Sequence, residues 1–422
     1  MKTICLIFLI CTITTSLALV SVQQSSIHYK SSTLHSTSSI SQTPIWYSDP
    51  SLFRANIPSL PLSPNEQEGS IGVDFKNGYF IFLQDGERGK IHHLIGKSGE
   101  GDVKPLFLTF QQTEEILGTD FLTSLIAQGE EIKNDKTCSS LIWLGSHYDG
   151  KQYWAVYNGV ENFEKISKFQ EEINKDETSI IQDIRATFLP LREFGDRIPD
   201  AQDAAIYSVA NGLIEFHRSH KFCSTCGSPT LLQRAGGSRL CSNSKRNGGS
   251  CSAPSIYPRI DIASIMLITS PCENYALLGR KASWPEGRYS TLAGFLEIGE
   301  TLEDCCARET LEESGVAVDK DSITFVRSQP WPFPRSLMVG FRAKALSSDE
   351  VEYVGDDCLP QINFDVNEME DVSWFRRDFV ASRLDGGSTA LLYDPTNREK
   401  EFHIPGKASL ARHLITAWAV EK

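Results

Sequence analysis

Positive charge is in short supply: 41 lysines and arginines stand against 54 aspartates and glutamates in 422 residues, giving a net charge of −13 and a pI near 5.3. Partners that need a broadly basic surface, such as nucleic acid in general or an acidic membrane, are disfavoured as targets. A small anion stays compatible if positive charge is local or a metal supplies it. Long hydrophobic runs are also few. Beyond the N-terminal ICLIFLICTITTSLALVSV, no segment is apolar and long enough to span a bilayer. Acidic residues are missing from the first 48 positions, and no internal repeat is evident. The 40% hydrophobic and 23% charged content is ordinary for a globular chain, with length enough for two or three domains.

The N-terminal run follows Lys2, and Ser16 and Ala18 are spaced like the small residues before a signal-peptidase cut. Residues 1–20 therefore read as a signal peptide that opens the secretory route, with an uncleaved anchor as the rival. Residues 21–48 are rich in Ser and Thr, and Asp49 is the first acid. Such a leader fits either a disordered stretch on a secreted or lumenal protein or the second half of a two-part address to a plastid inside extra membranes.

From 49 to 217, strand-like runs such as GYFIFL, SSLIWLG and KQYWAVYNG precede helical segments, an α/β pattern. Its last segment, AQDAAIYSVANGLIEFHRSH, predicts a helix with Ala205, Val209, Leu213 and Phe216 on one buried face. Residues 218–256 are polar, Gly-rich and Cys-bearing. From 257 to 422 a second α/β domain is expected, with IDIASIMLIT and YALLGRK as a strand pair and SLMVGFRAKAL as another strand.

Eleven cysteines call for an account. Cys5 and Cys11 leave with the signal peptide, and Cys138, Cys272, Cys305, Cys306 and Cys358 are scattered through a large chain, unlike a disulfide framework. A reducing final compartment follows. Cys223 and Cys226 form C-x2-C with Gly227 after them, and Cys241 and Cys251 complete four thiolates suited to tetrahedral zinc. The nine residues SNSKRNGGS between the second pair are more than a zinc knuckle usually has, and read as a flexible insertion. Disulfides and a redox role are the alternatives.

The strongest signal is LAGFLEIGETLEDCCARETLEESGV, residues 292–316. Thr301 is placed to cap a helix with Asp304 reaching back, and Gly315 to stop it. Between them Glu309, Glu312 and Glu313 sit at i, i+3 and i+4, where like charges repel. Only Arg308 is near, placed to pair with Asp304 and Glu312. Hard carboxylate oxygens crowded in this way attract Mg2+ or Mn2+.

These residues resemble the Nudix box, G-x5-E-x7-R-E-U-x-E-E-x-G-U, at Gly294, Glu300, Arg308, Glu309, Glu312, Glu313 and Gly315. Seven fixed positions at about 7% usage each make a chance match at one starting point roughly one in 10^8. The departure is Thr310, where the pattern wants an apolar residue. The resemblance implies an α/β/α sandwich and hydrolysis of a diphosphate linked to another moiety. It makes Glu309, Glu312 and Glu313 catalytic and metal-binding, with the Ala293 carbonyl completing a coordination sphere.

After the box comes SQPWPFPRS, residues 328–336, where Pro330, Pro332 and Pro334 exclude helix and suit a rigid, exposed segment. The order of cysteine set, YPRID, box and SQPWPFP is similar to the NADH pyrophosphatase branch of the superfamily, over roughly 190–420. That branch implies a zinc ribbon at 218–256, an N-terminal Nudix-like domain, and a homodimer that splits NADH to AMP and reduced nicotinamide mononucleotide, with NAD+ or NADPH cut at the same bond. NAD-capped RNA carries the same bond. By the same resemblance Arg192, Tyr257, Gln329, Pro330, Trp331, Pro332, Phe333, Pro334, Arg335, Ser336 and Ala411 line the substrate pocket, and Glu368 adds a metal ligand. Phe295, Trp331, Phe333 and Tyr257 are candidates to stack on a ring. Arg335 stands where many relatives carry Gln, and is expected to strengthen phosphate or 2'-phosphate binding. The segments 344–366 and 384–401 look long for the branch. A Nudix hydrolase of another nucleotide such as ADP-ribose, and a zinc-ribbon binding protein with an inactive Nudix domain, are the competing readings.

Overall fold

A computed structural model describes residues 78–87, 90–97, 103–118, 131–134, 137–147, 150–158, 185–347, 353–354, 359–384, 390–392 and 400–421. The signal peptide, the leader and Cys358 lie outside these, as do parts of the segments 344–366 and 384–401. No helix among the described residues is long and apolar enough to cross a membrane.

The first domain is built on β1 (Gly78–Asp85), β2 (Ile91–Lys97), β3 (Val103–Pro105), β4 (Leu108–Thr109), β5 (Glu131–Asn134), β6 (Thr137–Ser146), β7 (Gln152–Asn158) and β8 (Arg185–Pro190). β1 and β7 run parallel at the centre; β2 and β4 pair antiparallel with β1, β6 with β7, and β8 with β2. Helix α1 (Phe110–Leu117) follows β4 directly, capped by Thr109. Short α2 (Leu191–Phe194) leads to α3 (Ala201–Ser219), whose Asp200 cap accepts from the Gln202 amide. Ala205, Leu213 and Phe216 are buried as the spacing predicts, but Ile206, Tyr207, Ala210 and Ile214 are buried too. The single-face expectation is too narrow because α3 also carries contacts beyond its own sheet: His217 meets the Gly236 carbonyl and Asn211 the Pro332 carbonyl.

The hairpin of β9 (Thr230–Gln233) and β10 (Ser238–Cys241) follows. Its turn takes positive φ at Arg234, Ala235 and Gly236, and the Ala235 carbonyl accepts from the Trp143 amide of β6. The cysteine-bearing segment is thereby fastened to the first sheet.

The second sheet comprises β11 (Asp261–Thr269), β12 (Tyr275–Arg280), β13 (Leu292–Phe295), β14 (Val318–Trp331) and β15 (Ser336–Ala345). Two-stranded β16 (Tyr353–Val354) and β17 (Leu359–Pro360) come next; β18 (Asp371–Arg376) rejoins the sheet, and β19 (Ala390–Leu392) pairs with β20 (Lys400–Phe402). β11 is buried from Ala263 to Thr269 because it lies beside parallel β15 with helices nearby, which explains its unbroken apolar run. Helices α4 (Leu302–Ser314), α5 (Arg377–Ser382) and α6 (Leu410–Val420) complete the domain.

Both sheets share one wiring. β11 is parallel to β15 as β1 is to β7; β12 and β13 repeat β2 and β4, β14 repeats β6, and β18 repeats β8. The fold is a Nudix α/β/α sandwich preceded by a cysteine ribbon and a second domain of the same topology. At the position of α4 the first domain carries FQQTEEIL, without the box.

The SQPWPFPRS stretch departs from the exposed loop expected. Ser328–Trp331 finishes β14 at the sheet edge, pairing with Ser336–Val339, and only 332–335 turn. Pro330 is admissible there because one side of an edge strand needs no donor. Pro332 is buried and only Pro334 is exposed.

Candidate active site and zinc site

Helix α4 begins and ends as its sequence dictates. The Thr301 hydroxyl oxygen accepts from the Asp304 amide, and Gly315 closes the helix at φ 74°. A side chain at 315 would also meet the Asn363 backbone. Thr310, the polar departure, is buried, and its hydroxyl donates to the Cys306 carbonyl at 2.7 Å, so nothing polar is left unpaired. Cys305 and Cys306 are buried on the same helix, and burial pushes both thiols up, Cys306 to about 12, leaving them inert.

Arg308 is the hub of the carboxylate cluster. Its Nε and Nη2 clasp both oxygens of Glu300, at 2.5 and 2.9 Å, and Nη1 reaches Glu309 Oε1 and Glu312 Oε2 at 2.9 Å each. Nη2 also donates to the Phe295 carbonyl, which ties the loop before the helix to the helix itself. The expected pairing with Asp304 does not form: Asp304 pairs with Lys320 at 2.8 Å on the other side. Glu300, which the motif gives no partner, holds Arg308.

The three carboxylates differ in access. Side-chain exposure is 55% for Glu312, 15% for Glu309 and 3% for Glu313. Glu313 Oε2 accepts from the Ala293 amide at 3.2 Å, and Oε1 faces Lys281 Nζ at 3.2 Å. Lys281 follows β12, and nothing in its neighbouring sequence marks it; only the sheet brings it there. Burial pushes the carboxyls of Glu309 and Glu313 up, with the Arg308 and Lys281 charges pulling the other way, and Glu309 also feels the negative Glu312 and Glu368. Gly294 stands so close that a Cβ there would lie 1.7 Å from Glu309 Cδ. Glu309 and Glu312 thus meet at Arg308, Glu313 is held at the Ala293 amide, and Glu368 is near enough for Glu309 to feel its charge. That donor set fits Mg2+ or Mn2+.

The aromatic wall lies against the first domain. Trp331 and Phe333 meet edge to face with centroids 5.1 Å apart, and the Arg192 guanidinium lies over both rings at 5.3 and 5.1 Å. Asn211 of α3 locks the turn: its Nδ2 donates to the Pro332 carbonyl at 2.8 Å and its Oδ1 faces buried His93 Nε2 at 2.9 Å. Sequence reading missed Asn211 because a lone amide on an apolar helix face carries no motif. Asn211→Leu is expected to cost about 1–3 kcal/mol, the price of orphaning a buried polar partner, read as a lower urea midpoint.

The remaining pocket candidates are spread out. Tyr257 and Phe295 are 52% and 57% exposed. Gln329 is buried, its amide donating to the Ala408 carbonyl and its oxygen accepting from the Leu410 amide, which fixes the start of α6. Ser336 and Ala411 are buried, Ala411 within the core cluster of α6. Arg335 reaches toward α3, with Nη1 3.4 Å from Ser219 Oγ.

The four ribbon sulfurs all lie within 4.8 Å of one another, with Cys226 to Cys241 at 3.5 Å and Cys223 to Cys251 at 4.0 Å. These separations exceed a disulfide bond and bracket the spacing of about 3.8 Å that tetrahedral ligands 2.3 Å from zinc would have. The thiols also cannot all ionise unaided. Hydrogen bonds from Ser228 pull Cys226 down to about 6, while burial pushes Cys241 up to about 12. A cation removes that conflict. The nine-residue insertion is a folded loop: the Cys251 amide donates to the Asn243 carbonyl, the Lys245 amide to the Cys251 carbonyl, and Gly248 turns at φ 77°.

Comparison with known proteins agrees with this geometry. The NUDIX domain model matches residues 259–389, and the NADH pyrophosphatase zinc ribbon domain model matches 218–248. The chain is 34% identical over 285 residues to the NAD-capped RNA hydrolase NudC of Mycobacterium bovis, covering 68% of this chain and 77% of that one. It is 35% identical over 217 residues to the NAD-capped RNA hydrolase NUDT12 of Homo sapiens, covering 51% of this chain and 42% of that one. A solved NUDIX hydrolase from Nitrosomonas europaea aligns at a TM-score of 0.26 with 26% identity, over 37% of this chain and 77% of that one. Together with the box, fold and site define a hydrolase of diphosphate bonds that uses divalent metal. The chain belongs to the Nudix hydrolases that carry the NADH pyrophosphatase zinc ribbon.

Proposed function

We propose that the chain hydrolyses the diphosphate of NADH, and of NAD+ and NADPH, to AMP and the matching nicotinamide mononucleotide (for NADPH, to the 2'-phosphate of AMP), with NAD-capped RNA as a second substrate class cleaved at the same bond. The observation that carries this reading is the carboxylate cluster gathered around Gly294 by Arg308, in a chain related to enzymes named for NAD-capped RNA. Mg2+ or Mn2+, when bound, offsets the negative charge of the diphosphate and lowers the pKa of water. Half-buried Glu309 and buried Glu313 are suited to holding such ions, with Glu368 and the Ala293 carbonyl. Glu312, the exposed member, is positioned by Arg308 to take the proton from water as its oxygen bonds to phosphorus and the bridging P–O bond breaks. The wall of Trp331 and Phe333, with Tyr257 and Phe295, supplies faces for the flat rings of a dinucleotide.

Product analysis on NADH, NADPH, ADP-ribose and NAD-capped RNA side by side, with Mg2+ or Mn2+, tests the proposal. AMP from NADH is the expected result, and no AMP-type product from any of the four would leave the non-enzymatic alternative. Gly294→Ala is expected to abolish the same activity while the melting temperature stays near that of the parent, because the added methyl displaces the Glu309 carboxylate rather than core.

Exposed Phe222 and Ile260 support a homodimer that covers them, checked by light scattering on the eluted protein. A fluorescent fusion of residues 1–60 tests entry into the secretory route and separates a plastid from a secreted or lumenal destination.

A further inference from the structure

A second cluster of charge, of the opposite sign, lies apart from the carboxylates. A cleft of about 470 Å3 has Asp196, Arg288, Arg383, Phe402, His403 and Arg412 among its lining residues. Among these described lining residues are three guanidinium groups, an imidazole and one carboxylate, in a protein whose net charge is −13. The arrangement is built by the fold. Arg288 and His403 are held side by side by an isolated backbone bridge, and Arg412 is anchored in the first turn of α6 with Nη2 donating to the Leu384 carbonyl. Among the described residues Arg383 Nε is buried without a hydrogen-bond partner, while its guanidinium lies over the Phe379 ring at 5.3 Å. Arg288 is partly buried; loss of water and the nearby Arg192 charge push its pKa down, against the pull of Asp196. Crowded cations with an orphaned donor call for an anion, just as the crowded carboxylates of α4 call for a cation.

The cleft adjoins the aromatic wall. Arg192, whose guanidinium covers Trp331 and Phe333, is the charge felt by Arg288. Gln329, two residues before Trp331, is bonded to Ala408 and Leu410, which lie between the cleft residues Gly406 and Arg412. Arg335 is directed at Ser219 instead. The volume lies within the roughly 300–1,000 Å3 of small-molecule sites.

We propose that the cleft of Arg288, Arg383 and Arg412 is a second phosphate site, which takes a phosphate of the nucleotide substrate other than the diphosphate that is cleaved. It rests on the dinucleotide reading above for the substrate that delivers the phosphate. Two sources share this chemistry: the 2'-phosphate of a dinucleotide, and the first backbone phosphate of a capped RNA.

Two measurements on the full chain test it. Inorganic phosphate is titrated into protein without added Mg2+ or Mn2+ and followed by 31P line broadening; with the carboxylates bare, binding reports the arginines. Saturable binding that weakens about tenfold in Arg288→Met and in Arg383→Met, and returns with Arg288→Lys, is expected. Phosphate binding that is absent, or equal in parent and variants, overturns the site whatever the enzyme cleaves. The second measurement is the ratio of kcat/KM for NADPH and for a short NAD-capped RNA to that for NADH. One of the two ratios is expected to fall about tenfold in Arg288→Met, and which one falls identifies the source. Ratios that both stay put overturn the assignment to substrate phosphate, and no turnover of any substrate by the parent overturns the dinucleotide reading alone.

Discussion

Glu312→Gln is expected to lower kcat for AMP release from NADH by roughly 10^2- to 10^4-fold, the range for loss of a positioned proton acceptor. The substitution keeps size and hydrogen bonding and removes only the charge and basicity. Arg308 retains Glu300 and Glu309 as partners, so the fold is expected to persist, and Glu312 is already more than half exposed. KM is expected to change little. A kcat within threefold of the parent would transfer the role to Glu309 or Glu313, whose burial makes them poorer acceptors from bulk water but better seats for an ion.

Cys241→Ser is expected to remove the bound zinc and to loosen the ribbon. Zinc typically contributes about 10–16 kcal/mol to such a module, and the buried cysteines cluster with Ala253 while Leu232 and Ala235 pack into the first domain's cores instead. The damage should spread, because Trp143 and His217 both bond to the ribbon's turn. Metal analysis should fall from one zinc per chain toward none, with new protease cleavage in the 242–250 loop; full zinc content in the variant would refute the four-sulfur site.

Much of this was legible in the chain because the signals are local. The box is one helix and its preceding loop, so Thr301, Glu309, Glu312, Glu313 and Gly315 declare themselves by spacing. Strands β1, β6, β7, β11, β12 and β15 show as short apolar runs for the same reason. What escaped depends on pairing at a distance. Helical spacing offers Asp304 to Arg308, yet Glu300, outside the helix, takes its fork because the Gly-containing loop folds back. Lys281 and Asn211 act across a sheet and across domains, where no spacing rule applies. SQPWPFPRS was legible in composition but not in placement, since edge position is a property of the sheet and not of the strand.

The shared wiring of the two sheets bears on how the chain can be divided. A fragment beginning at Tyr257 would keep every box carboxylate and Arg308, yet it would lack α3 and with it Asn211, and it would lack Arg192. Pro332 would lose its hydrogen-bond donor and Phe333 its apolar backing from the first core. The first domain, which carries no box of its own, is therefore the support on which the second domain's 332–335 turn is held.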